Sequence, residues 1–210
     1  MLDYVVNLAH SAVSAISAGV APAFGPAATA VAIVLFTAAV RLLISPLSWA
    51  QIRGARVSPL AGCLPALVQA PFFFVMYRLF TTPNDLLDAE LAGVPLGHHL
   101  GDGLGGAAGP VYAILFLLLA VLARWSSQRM RRATAEVAVT GAPASARLAE
   151  LPPEAREVAE RTQEQLRRVM PLLPYGTLAV AAFVPLAAGL YLVTTTAWTG
   201  LEQGVLRRYR

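Results

Sequence analysis

Charge, cysteine and acidic residues inside the apolar runs are what this sequence lacks. Only 13% of its 210 residues are charged, too few to solvate the surface of an ordinary soluble domain. Cys63 is the single cysteine, so no intrachain disulfide can form, and its apolar setting marks it as a small buried hydrophobe. Lysine is absent, and all 16 basic residues are arginine. No basic run is interleaved with aromatics in a polar segment, which excludes a nucleic-acid groove, DNA included. Asp, His and Cys are sparse, and no nucleophile–base pair or metal-spaced ligand set can be assembled, so the expectation is no enzyme, no metal and no cofactor. The first residues, Met1-Leu2-Asp3-Tyr4, lack the positive charge that begins a cleavable secretory signal.

What is present is hydrophobicity. At 57% apolar residues and a mean hydropathy of +0.60, the composition is that of an all-α polytopic membrane protein, one membrane domain over 1–210. Residues 2–17 alternate apolar and polar positions at helical spacing, which predicts an interfacial helix on the outer face within residues 1–25. A first span follows over about 26–46, bounded by Pro26 and Pro46 and long enough at 1.5 Å per residue to match a core of about 30 Å. The connection Leu47 to Ser58 carries Arg53 and Arg56 with no acid and is expected in the cytoplasm. A second span covers about 59–80, interrupted by Pro65 and Pro71. Residues 81–109 hold Asp85, Asp88, Glu90 and Asp102 without arginine and form the outer loop. There His98-His99 has no ligand partners at metal spacing.

The third span, about 109–126, returns inward to Arg129, Arg131 and Arg132. Residues 127–168 form a cytoplasmic loop with eight Arg and six Glu: flexible from Ala133 to Pro152, then a charged helix from Pro153 to Met170 with Glu157/Arg161 and Glu164/Arg168 pairs. Between Arg167-Arg168 and Arg207-Arg208 lie 38 mostly apolar residues, about 57 Å as one helix and nearly twice the core thickness. Two spans, about 170–184 and 185–205, fit instead, with a hairpin near Val184-Pro185. The positive-inside rule then places the N-terminus outside and the C-terminus in the cytoplasm.

Polar stripes within these spans mark the candidate site. Thr37, Arg41, Ser45 and Ser48 stand at i, i+4, i+8 and i+11 on one helix face. An arginine inside a span costs several kcal/mol, about +2.5–3.5 on insertion scales, and marks a functional position by default. Arg41 either snorkels to the headgroups or faces a polar cavity. Because helical side chains lean toward the helix N-terminus, its lean is toward the membrane centre, which favours the cavity. In the second span Ser58, Gly62, Gln69 and Tyr77 share a face, where Gln69 serves either as bundle glue or as a substrate contact. The last span presents Tyr191, Thr195, Trp198, Thr199 and Glu202 together, with Glu202 at its inner edge.

Three separated blocks resemble the YidC/Oxa1/Alb3 family of membrane protein insertases. They are Thr37 through Arg41 to Pro46-Leu47; Ser58-Pro-Leu-Ala-Gly-Cys-Leu-Pro65 with Gln69, Pro71 and Tyr77; and Pro185-Leu-Ala-Ala-Gly-Leu-Tyr191 with Trp198 and Gln203. The chain departs from the family in lacking the long charged hairpin between the first two spans, and in having Leu192 and Thr196 where an aromatic and an asparagine are usual. The resemblance implies a bacterial inner-membrane insertase and chaperone, with five helices around a hydrophilic groove open to cytoplasm and lipid. It implies nascent membrane proteins as clients, anionic lipids as surroundings, and the ribosome and Sec translocon as further partners to be tested. Arg41, Thr37, Ser45, Gln69, Tyr191, Thr195 and Trp198 are the expected groove residues. The rival reading is a small anion channel or transporter lined by Arg41.

Overall fold

A computed structural model describes residues 2–54, 74–80, 82–139 and 152–208; Gln69, Cys63 and the rest of 55–73 lie outside these. The described chain is mostly helical. Helix α1 spans Leu2–Phe24 and α2 spans Ala28–Gly54, joined by a 3-10 turn at Gly25–Ala27. Residues 74–80 form α3. A short hairpin pairs β1 (Glu90–Leu91) with β2 (Val94–Pro95). Then come α4 (Ala108–Val139), α5 (Pro153–Val169), a 3-10 turn at Met170–Leu172, α6 (Leu173–Ala181) and α7 (Leu186–Arg208).

Two stretches are long and apolar enough to cross a membrane, Asp3–Ser45 and Ala108–Arg132. The first is two helices. Ser17 and Thr29 hydroxyls meet at 3.0 Å, although twelve residues of continuous helix would hold them about 18 Å apart. The chain folds back at Gly25, whose φ of +51° is a left-handed conformation that glycine adopts without a Cβ penalty. Helix α1 then lies along α2, burying Ala9 and Val13 in the common core. Its first turn reaches α3, where Arg78 pairs with Asp3 at 3.4 Å, and His10 bonds Asp85 at 2.7 Å. The amphipathic helix read from residues 2–17 thus continues about two turns further, through Pro22, to Phe24.

Helices α2, α4, α6 and α7 pack around a core that includes Ile33, Tyr112, Leu115, Leu119, Leu186, Ala187 and Tyr191. The outward faces show what solvent this packing serves. On α4, Tyr112, Leu115, Leu119 and Ala123 are buried, yet Ile114, Leu117, Leu118 and Val121 on the other side are exposed. A helix apolar on both faces is at home in lipid, where the outer face needs no polar residues. Helix α2 goes further. Leu42 and Leu43 are 63% and 80% exposed while Thr37 and Ser45 are 0% and 9% exposed, so leucine faces out and the hydroxyls face in.

Several boundaries differ from those expected. Helix α2 does not stop at Pro46 but runs to Gly54: proline deletes one donor, whereas ending the helix in an apolar medium would leave several groups unsatisfied. The connection starting at Leu47 is therefore helical over its first eight residues. Helix α4 continues to Val139, so 133–139 is helical, in keeping with its Ala- and Glu-containing sequence. The expected span over 170–184 is a 3-10 turn followed by nine residues of α-helix; Pro171 and Pro174 remove two donors and loosen the ladder there. The hairpin falls where expected, between Ala181 and Leu186. Both i, i+4 pairs on α5 form, Arg161–Glu157 at 2.6 Å and Arg168–Glu164 at 3.0 Å.

The loop over 82–107 carries more order than its Gly- and Pro-rich sequence suggests. Asn84 donates to the carbonyls of Leu79 and Thr82 and accepts from the Leu86 N–H, closing the end of α3. The carbonyls of Leu96 and His98 accept the N–H groups of Ala187 and Leu186 at 2.9 Å each, and Tyr112 also donates to His98 O at 2.5 Å. Donors left free at the start of α7 are thereby satisfied. The His98-His99 loop thus ties α4 to the α6–α7 turn.

Candidate functional site

The stripes on α2 and α7 face each other, since these two helices are packed together. Thr37 is wholly buried and donates back to Ile33 O at 2.7 Å, so its hydroxyl is engaged within its own helix. One turn on, Arg41 is partly buried, within electrostatic reach of Tyr191 and Glu202 on α7. A further turn along, Ser45 Oγ donates to Glu202 Oε1 at 2.8 Å. The Glu202 carboxylate bridges the seam between α2 and α7. Sequence spacing had already put it in register with Tyr191, Thr195 and Trp198, but only the pairing of the two helices gives it Ser45 and Arg41 as neighbours.

The threonines of α7 separate into two groups. Thr194, Thr196 and Thr199 donate to the carbonyls of Leu190, Leu192 and Thr195 at 2.7–2.9 Å, the usual way a threonine hydroxyl is satisfied in a helix. Thr195 does not. Among the described residues its Oγ1 is buried with no partner, and so are Trp198 Nε1 and Arg41 Nε. Tyr191 is 2% exposed. Buried polar atoms almost always find a partner, and each unsatisfied one costs about 1–3 kcal/mol. Three of the four such side-chain atoms among the described residues belong to this seam. A hydroxyl, an indole N–H and a guanidinium N–H can together donate to carbonyl, carboxylate or water oxygens. Of the expected groove residues, Arg41, Thr37, Ser45, Tyr191, Thr195 and Trp198 lie on these facing helices, and Gln69 is outside the described chain.

A second contact joins α7 to α4. Arg129 of α4 stacks over Trp125 at 4.0 Å and donates to Gly200 O at 2.7 Å. An added Cβ at Gly200 would run into the Trp125 ring, and one at Gly204 would sit 3.0 Å from Arg129 Nη2. The two glycines let α4 and α7 approach closely enough for this stack. Arg129, just beyond the expected third span, is turned onto α7.

The fourth partnerless atom is His98 Nδ1, beside an open depression of about 720 Å³ lined by Asp85, Asp88, His99 and Asp102 among others. Asp85 is held below the ordinary carboxylate range by the hydrogen bond from His10, and Asp102 by the His99 N–H. Among the described residues no three His, Cys, Asp or Glu are arranged to hold a metal ion.

A family model described as 60Kd inner membrane protein matches residues 52–210, more than half of the chain. Helix α1 and nearly all of α2, with Arg41, precede the matched range. No curated protein and no solved structure matches the chain.

Proposed function

The chain belongs to the 60Kd inner membrane protein family, the YidC/Oxa1/Alb3 group whose business is membrane protein insertion, and from that premise we propose that the α2–α7 seam is the groove that receives its clients. In this reading five helices span the inner membrane, with the N-terminus outside and the C-terminus in the cytoplasm. The groove opens to cytoplasm and lipid and is closed outward by α1 and the 82–107 loop. The observation that carries it is the set of buried, unsatisfied Arg41, Thr195 and Trp198 donors on the two helices of the seam, among the described residues.

The physical task is to pass a short polar tail through a medium where each unsatisfied polar group costs several kcal/mol. Water held in the seam shortens that passage. Arg41 attracts acidic or carbonyl oxygens of the tail, and Thr195 and Trp198 offer hydrogen bonds from the facing helix α7. Thr37 and Ser45, already bonded to Ile33 O and Glu202, shape the wall, and Tyr191 packs at its upper end. Gln69 is assigned to the same groove from its register on the second span. The client's apolar segment slides past Leu42 and Leu43 into lipid, driven by partitioning and by a membrane potential worth about 2.3 kcal/mol per charge per 100 mV. The same protein then acts as a chaperone while the client packs. An anion channel is the weaker alternative, because Glu202 stands beside the one cation such a pathway would use.

The experiment is insertion of a single-span client with an acidic N-terminal tail into membranes carrying Arg41→Ala. A charge-assisted hydrogen bond is worth about 1.5–3 kcal/mol, so insertion is expected to fall about tenfold or more. Insertion at the parent rate would remove Arg41 from the mechanism.

A further inference from the structure

Arg41 is not alone in the seam. Glu202 accepts from Ser45 at 2.8 Å and lies within electrostatic reach of the guanidinium, so the groove holds one positive and one negative group on opposite walls. Taking the groove reading above as its basis, we infer that Glu202 is a specificity-determining residue, an internal counter-ion that competes with the client tail for Arg41 and sets which tail charges the groove accepts.

The argument is one of electrostatics in a partly desolvated space. An unopposed guanidinium would hold any carboxylate that entered, and a tail bound so tightly would not pass on. With Glu202 opposite, an acidic tail must displace one carboxylate to bind another, which is an exchange of like for like. A neutral tail meets a nearly neutral wall, and a basic tail finds a partner in Glu202 itself. Ser45 matters because its hydroxyl fixes the carboxylate beside α2, where it faces Arg41, instead of leaving it to turn toward bulk water. The seam thus acts as a charge-balanced sieve, broad in the tails it admits.

The test uses the full chain in membrane vesicles, with a photoreactive phenylalanine in place of Thr199, whose hydroxyl is bonded within its own helix, and three single-span clients whose N-terminal tails differ only in two residues: Asp, Asn or Arg. Glu202→Gln keeps the acceptor for Ser45 and removes the charge. Its acidic-to-neutral adduct ratio is expected to rise about five- to tenfold over the parent, and its basic-to-neutral ratio to fall. Glu202→Asp should stay near the parent values. Adding Arg41→Ala to Glu202→Gln should abolish the gain for the acidic tail. A folding defect would lower all three adducts together and could not produce opposite movements. Ratios unchanged by Glu202→Gln, with all tails still captured, would overturn the role of Glu202 and leave the groove standing. No adduct with any tail in the parent would overturn both.

Discussion

At the scale of single residues, the site is recognised by what its atoms lack. Arg41 Nε, Thr195 Oγ1 and Trp198 Nε1 are buried without partners, and an arrangement that costs about 1–3 kcal/mol per atom persists where function uses it. Trp198→Phe removes one such donor and keeps most of the ring. We expect thermal stability in detergent to change by no more than about 1 kcal/mol, or to rise, while client insertion drops; a purely structural tryptophan would lose stability and insertion in step. Most of this was legible in the sequence, because Thr37, Arg41 and Ser45 repeat at helical spacing and Tyr191, Thr195 and Trp198 do likewise. The engagement of Glu202 was not, since one helix's periodicity carries no information about its register against another. Asp85 gives a separate expectation at the outer end. Its carboxyl is held below the ordinary value of 3.8 by His10, so the bond's contribution is complete above that value and is lost as pH falls through the lowered one. Because Asp85 is fully exposed the effect is small. Amide protection at 84–88, taken relative to the intrinsic exchange rate at each pH, should fall once the pH drops below the ordinary carboxylate range, and Asp85→Asn should remove that pH dependence.

At the scale of elements, the α4–α7 contact is the most constrained. Trp125 and Arg129 sit against Gly200 and Gly204, leaving no space for a methyl group beside the rigid indole. Gly200→Ala is expected to destabilise by about 1–3 kcal/mol through overpacking, read by thermal unfolding in detergent. Gly204→Ala should cost less, because the end of the Arg129 side chain can move aside. Equal effects at the two positions would contradict this packing. Long apolar runs with charged flanks made α2, α4 and α7 readable in outline. The proline rule at Pro46 did not hold: Pro46 lies inside α2, because a medium without water penalises a broken helix more than one lost bond. The β1–β2 hairpin escaped notice for a local reason. Its turn is Ala92-Gly93, with φ of 53° and 81°, in place of the Asn-Gly or Asp-Gly pair that announces such turns.

At the scale of the molecule, the distribution of polarity is inverted relative to a water-soluble bundle. Leucines face outward on α2 while a hydroxyl, a guanidinium and a carboxylate meet between α2 and α7. Membership in an insertase family gives that inversion a purpose under the proposed reading, in which the outer surface meets lipid and the inner seam offers a client's polar tail what lipid cannot. The central claim is that this seam is wet and reached from the cytoplasm. The most direct measurement is labelling of Thr195→Cys, in a Cys63→Ala background, by a membrane-impermeant maleimide applied from either side. The account predicts rapid modification in inside-out vesicles and none in right-side-out ones. Protection from both sides, or labelling from outside alone, would contradict it.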